Sequence, residues 1–177
     1  MAFLELAAKS ILLILPSYFA NSIPVVLGGG RPIDGKKKFP DRQRIFGDGK
    51  TVRGFLAGVF AAILIGAIEA LALSGSSLAL FDSNSAYVYA GFLLGLGTML
   101  GDLAGSFIKR RQKLAQGKPS FLMDQLLFLF VALAFAYPLA SHLLSLEAVL
   151  FLAVLTYFVH VGANILANRW GLKKVPW

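Results

Sequence analysis

Apolar residues run along this chain in long stretches that no charge interrupts for several helical turns, and polar residues gather in the intervals. Neither strand-like alternation nor a narrow one-sided stripe persists, so the stretches read as helices that are apolar nearly all round. They lie at about 2–23, 54–73, 86–108, 121–143 and 146–168. Roughly 20 such residues at 1.5 Å rise cross the hydrocarbon core of a bilayer. Lipid offers no partner to a bare backbone, and an α-helix satisfies its own. The pattern therefore predicts an all-α, polytopic integral membrane protein: one membrane domain with five transmembrane helices. The first stretch is not expected to be a cleaved signal. It has no basic lead and runs to Asn21-Ser22-Ile23-Pro24 without a small-x-small site.

Composition sharpens this. Of 177 residues, 57% are hydrophobic and 15% charged, and mean hydropathy is +0.72. A soluble domain carries about 25% charged residues, so too little charge is present to cover a water-facing globule. The absence of cysteine excludes disulfides and thiolate metal sites.

Charge then orients the spans. Of 17 Lys and Arg, eight lie in the loop 28–53 and five in the loop 109–120. Arg169, Lys173 and Lys174 follow the last span, and only Lys9 stands elsewhere. By the positive-inside rule both loops and the C-terminus are cytoplasmic and the N-terminus is outside. The expected location is the cell membrane, multi-pass, with any active site facing the cytoplasm. Net charge +8 then describes surfaces suited to anionic lipid, and no nucleic-acid partner is expected.

Ionisable groups at membrane depth are costly and point to function. Asp102 sits about 10 Å below the cytoplasmic end of the third span. Ser106, Lys109 and Arg110 follow it at i+4, i+7 and i+8 on one face. That face makes a polar pit, or else an internal ion pair between Asp102 and Lys109 or Arg110. Asp124 opens the fourth span, where helix capping is the plain alternative. Two carboxylates across a short basic loop suit Mg²⁺, which takes one or two carboxylates and completes its shell with phosphates. Asn21 on the first span, and His160 and Asn164 at i, i+4 on the fifth, are either interhelical hydrogen-bonding groups or site residues; the role of His160 stays open.

Two further features read as structural. Lys9 and Glu69 lie at matched depth near the outer side, which suggests an intramembrane ion pair. Small residues recur every fourth position at Gly54, Gly58, Ala62, Gly66 and Ala70, and at Gly97, Gly101 and Gly105. They predict close helix packing, within the chain or at a homodimer interface.

The first loop is long for a connection, and its end, Phe46-Gly47-Asp48-Gly49-Lys50-Thr51-Val52-Arg53-Gly54, runs into a span. Glycines before a helix N-terminus can offer backbone N–H groups to phosphate. Arg44 stands where a Walker A motif needs its first glycine, so that motif is absent. The second loop holds five cations and no acid, and with Asp102 and Asp124 it suits a triphosphate bound with metal.

Gly101-Asp102-x3-Ser106-x2-Lys109-Arg110, followed by Asp124, resembles the signature of membrane-bound CTP-dependent phosphatidate cytidylyltransferases. The middle of that signature is missing and Leu122-Met123-Asp124-Gln125 replaces its ending. The departures, with Ala20-Asn21-Ser22-Ile23-Pro24, Arg31-Pro32-Ile33-Asp34, the Phe46–Gly54 run, His160-x3-Asn164 and Lys173-Lys174-Val175-Pro176-Trp177, resemble the archaeal CDP-archaeol synthase family over essentially the full length. The resemblance implies a nucleotidyltransferase of archaeal phospholipid biosynthesis. It would transfer CMP from CTP to an unsaturated isoprenoid glycerol-1-phosphate ether lipid and release pyrophosphate, with Mg²⁺. On that reading Asp102 and Asp124 bind metal and, with Lys109, carry catalysis. Asn21, Lys50, Thr51, Arg53, Ser106, Lys109, Arg110 and Asn164 bind nucleotide and phosphate, and the lipid phosphate arrives sideways from the cytoplasmic leaflet. The alternatives are an enzyme acting on ester-linked phosphatidic acid, or an anion or metal transporter built on Asp102 and His160.

Overall fold

The structure, a computed structural model, describes residues 3–114, 118, 120 and 122–176. The expectations that touch Ala2, Phe121, Trp177, residues 115–117 and Pro119 fall outside the described residues. Five helices form: α1 (Phe3–Leu27), α2 (Val52–Leu73), α3 (Asn84–Arg111), α4 (Met123–Ala140) and α5 (Leu146–Arg169). A 3₁₀ turn, Ser141–Leu143, prolongs α4. All five are long and apolar enough to cross a membrane, and no strand occurs among the described residues.

Several ends differ from the apolar stretches. α1 continues through Pro24 to Leu27. α3 runs on to Arg111, so Lys109, Arg110 and Arg111 are its last turn rather than loop. Cations are favoured there by the helix dipole, and helical mounting aims them far better than a loop would.

α3 is the central helix. It packs α2 on one side and α4 on the other through two separate rows of small residues. A Cβ on Gly91 would lie 2.5 Å from the Ala62 carbonyl oxygen, and one on Gly66 2.5 Å from that of Tyr87. On the opposite flank, a Cβ on Gly97 or Gly101 would come within 2.7 Å of the Cα of Ala132 or Phe128. These rows are therefore occupied by packing within the chain. Leu13, Ile14, Tyr87, Leu94, Phe128 and Leu129 fill the core between the helices.

The matched-depth pair does not form. Lys9 Nζ instead meets Glu5 Oε1 at 2.9 Å, one turn away on the same helix, while Glu69 is buried on α2 and its Oε1 has no partner among the described residues. Depth is one coordinate, and azimuth is another. An i, i+4 neighbour is within reach of a flexible lysine without any interhelical constraint.

α5 is the least enclosed helix. Its buried residues are Ala148, Leu152 and Thr156, all in its first half. Those of α1 likewise stop at Ala20. Tyr18 Oη and Thr156 Oγ1 hydrogen-bond at 2.9 Å across the two helices, and later residues of both line a cavity of about 230 Å³.

Candidate active site

The first loop is organised around one carboxylate. Asp34, its side chain wholly buried, accepts hydrogen bonds from the backbone N–H of Lys36, Phe46 and Gly47 and from two nitrogens of Arg44. Burial pushes its carboxyl up, but these donors outweigh it and hold the group well below the usual carboxylate range. Arg111, at the end of α3, clamps the same loop. It pairs with Asp41 at 2.7 Å, donates to the Arg44 carbonyl and stacks on Phe39 and Phe107. The loop is thus a fixed wall that carries Phe46, Gly49 and Lys50 to a set position.

Asp34→Ala leaves three backbone N–H groups without their acceptor and Arg44 with Asp48 alone. Each charge-assisted bond contributes about 1.5–3 kcal/mol, so the loop should detach while the helices persist. The expected result is a rise of about tenfold or more in the KM for nucleotide, with faster proteolysis at Lys36–Lys38. Unchanged kinetics would show that the loop needs no such hub.

Lys50 reaches across to Asp102 on α3 at 2.5 Å, and Lys109 on α3 reaches Asp124 on α4 at 2.6 Å. Both pairs open on one cavity of about 350 Å³. Asn21 of α1, Thr51, Arg110, Lys118, His160 and Asn164 line it too. The side chains of the two carboxylates are 32% and 21% exposed, so each faces solvent while held by a lysine. The pairing answers the question left by the i+7 spacing: Asp102 takes its cation from the loop, and Lys109 spans to the next helix. Asp124 also accepts the Ser120 N–H at 2.9 Å, so it orders the second loop as well as facing the cavity.

Two expected site residues lie elsewhere. Arg53 turns its guanidinium onto the Gly28 carbonyl, where its Nε donates at 2.8 Å, and closes the base of the first loop. Ser106 is buried in α3 and does not line the cavity. Part of the glycine-rich run's backbone is engaged within the chain. Lys50 N–H bonds the Gly47 carbonyl, Val52 N–H bonds that of Arg31, and Gly54 N–H caps onto Thr51 Oγ1. The run brings Gly49, the Lys50 side chain and Thr51 to the cavity.

One residue not singled out for the site from its spacing stands in it. After α5, Gly171 takes φ +72 and turns the chain back. Lys173 then enters the cavity and its Nζ donates to Asn164 Oδ1 at 2.8 Å. Asn164 Nδ2 in turn contacts His160 Nδ1 at 3.1 Å. Burial, and then Lys50 nearby, pull the Lys173 ammonium below the usual lysine range despite Asp124. Its one sequence signal is its place in the terminal resemblance.

Among the described residues no three His, Asp or Glu side chains come together as a metal cluster. The donor set still fits Mg²⁺ of one kind. Asp102 Oδ1 accepts no hydrogen bond from a described residue, and Asp102 lines the cavity together with Asp124. One or two carboxylates suffice for Mg²⁺ when phosphates and water supply the remaining oxygens.

The family model described as CarS-like, CDP-archaeol synthase, matches residues 3–177. A CDP-archaeol synthase of Thermococcus gammatolerans is 51% identical over 93% of this chain and 92% of its own. That of Archaeoglobus fulgidus is 43% identical over 98% of this chain and 99% of its own. A solved structure of an intramembrane enzyme for archaeal membrane lipid biosynthesis superposes with a TM-score of 0.77. It is 38% identical, over 88% of this chain and 92% of that one.

Proposed function

Since the chain belongs to the CDP-archaeol synthase family, CTP-dependent cytidylyltransferases of archaeal lipid biosynthesis, we propose that its polar cavity is where CTP and an ether-lipid phosphate react. The observation that carries this is the convergence of Lys50–Asp102 and Lys109–Asp124 on one cavity at the membrane end of both basic loops. The cytoplasmic leaflet is the side we assign to it, from the positive charge of those loops.

The reaction needs no protein nucleophile. An oxygen of the lipid phosphate attacks the α-phosphorus of CTP, the bond to the bridging α–β oxygen breaks, and pyrophosphate leaves with that oxygen. Catalysis then rests on holding two anions together and neutralising the charge that accumulates on the leaving group. Lys50, on the first loop, and Lys109, on α3, can turn from carboxylate to phosphate by side-chain rotation, and Arg110, Lys118 and Lys173 add positive charge around them. Mg²⁺, held by Asp102 and Asp124 together with the triphosphate, would supply further neutralisation when bound. Thr51 and Asn21, on the cavity wall, are placed to orient the nucleotide, and His160 supports Asn164.

The direct test incubates purified protein with Mg²⁺, CTP and digeranylgeranylglyceryl phosphate, or with phosphatidic acid, and follows pyrophosphate and CDP-lipid. Turnover of the ether lipid is expected. Turnover of phosphatidic acid alone would reassign the substrate, and none with either would sink the reading.

Lys173 gives a second test. An ammonium with a lowered pKa loses its charge sooner as pH rises, so nucleotide affinity should fall on the alkaline side before ordinary lysines titrate. Lys173→Gln should weaken CTP binding by about tenfold and flatten that alkaline fall. A variant with wild-type affinity and pH profile would remove Lys173 from the site.

A further inference from the structure

The three acids of the first loop are all engaged. Asp34 and Asp48 take Arg44, and Asp41 takes Arg111. Lys36, Lys37, Lys38 and Arg42 are exposed and have no acidic partner among the described residues. None of the four lines the polar cavity or the one between α1 and α5, so the nucleotide site makes no use of them. They crowd a short hairpin, in which Lys38 pairs with Arg44 and the Phe39 N–H bonds the Gln43 carbonyl.

The seat of the hairpin decides what these cations meet. Tyr89, Phe92, Leu96, Leu100 and Phe107 fall on one azimuth of α3, and all are exposed or half-buried. On a helix that crosses a membrane such a strip faces lipid. Phe39 of the hairpin packs edge-on against Phe107 with ring centres 5.4 Å apart, and the Arg111 guanidinium lies 4.6 Å from each ring. Phe39 remains 42% exposed. The hairpin therefore rests on the end of a lipid-facing strip with an aromatic edge bare, which is the level of the headgroups.

We propose that this hairpin binds the anionic headgroups of bilayer phospholipid in the leaflet it borders, and that the contact tightens the hold on CTP. The proposal rests on the cytidylyltransferase reading and adds a regulator to it, the charge of the surrounding membrane. The lipid phosphate that reacts is a separate molecule. Basic loops in general serve topology, and a mobile one does so as well as a fixed one. Here the cations are fixed. Asp34 holds the Lys36 N–H together with those of Phe46 and Gly47, and the Ile33 N–H bonds the Lys50 carbonyl. Hairpin and Lys50 thus belong to one hydrogen-bonded body. Lysines at a membrane surface are drawn to anionic headgroups, and a ligand that binds only the folded form stabilises it. Headgroups on Lys36–Lys38 therefore favour the loop conformation that presents Lys50 and Thr51 to the cavity. An acidic peptide would match the charge, but the bare Phe39 edge above the α3 strip matches an amphiphilic surface.

The test places the full chain in nanodiscs of phosphatidylcholine alone or with phosphatidylglycerol added, and measures CTP binding with Mg²⁺ at fixed ionic strength without lipid substrate. Phosphatidylglycerol should tighten CTP binding by about threefold or more, and amide exchange over residues 33–50 should slow. The sign is diagnostic, because a negative surface by itself repels a triphosphate and weakens its binding. The combined variant Lys36→Gln, Lys37→Gln, Lys38→Gln should bind CTP within about twofold of wild type in neutral nanodiscs and lose both responses to phosphatidylglycerol. Unchanged or weaker CTP binding of the wild type in the anionic nanodiscs would overturn the proposal, as would a triple variant that keeps the tightening. Equal tightening by soluble polyglutamate in neutral nanodiscs would overturn it in favour of an acidic protein segment. A wild type that binds no CTP in either nanodisc, yet shows the slowed exchange, would instead overturn the underlying enzymatic reading and leave the headgroup contact standing.

Discussion

Asp102→Asn should lower turnover by about a thousandfold while leaving the protein folded. The amide has the same shape, and its oxygen still accepts from Lys50 Nζ, so the tie between first loop and α3 persists in weakened form. What disappears is the negative charge, and with it the oxygen donor that Mg²⁺ would require. Lys50 is then no longer held back, and CTP affinity should fall far less than turnover does. Asp124→Asn should cost as much in turnover, with an added loosening of the second loop because the Ser120 N–H meets a poorer acceptor. Pyrophosphate release at saturating CTP and lipid measures both. An Asp102→Asn enzyme within about tenfold of wild type would place the essential charge elsewhere. Binding of Mg²⁺ with CTP, followed calorimetrically in the same variants, separates a metal role from a role in aligning Lys50.

The second large effect concerns the fold. Gly91→Leu should prevent recovery of folded protein, because its Cβ would lie 2.5 Å from the Ala62 carbonyl oxygen and 3.3 Å from Ile63 Cα. Those are backbone atoms of a helix, and they cannot give way as a flexible side chain would. Overpacking in ordinary cores costs about 1–3 kcal/mol, and here α2 and α3 must separate along their whole contact, so the cost should exceed that range. Gly162→Leu on α5 is the control, since nothing lies within 4 Å of its Cβ position. Thermal unfolding in detergent, read by intrinsic fluorescence, should find Gly162→Leu unchanged and Gly91→Leu absent or aggregated. A folded, active Gly91→Leu would mean that the helices are not packed as described.

Much of the chemistry is legible in the order of residues alone. Charge buried in an apolar span is too costly to be incidental, so Asp102, Asp124 and the Lys109-Arg110 turn stand out on their own, and the fold draws them to one cavity with Lys50. Ser106 shows where that reasoning stops. It shares the azimuth of Lys109 and Arg110, but its side chain is short, and packing covers it where the long cations reach past. Arg53 groups with Lys50 by proximity in sequence, yet it lies beyond the Thr51 cap, on α2, and its side chain turns back to Gly28.

The order of residues is enough to show a membrane protein with five helices long and apolar enough to cross the bilayer, and which polar residues sit deep in them. Those follow from the transfer energies of residues taken one stretch at a time. It also carried the family, through motifs that are local in the chain. Which side chains pair is set by how the helices pack. Lys50 meets Asp102 across 52 positions, Lys9 meets Glu5 rather than Glu69, and the tail after Gly171 returns Lys173 to the cavity. Partner choice depends on the azimuth and crossing of whole helices, which the glycine rows of α2 and α3 set through contacts distant in sequence. No stretch of the chain encodes that geometry alone.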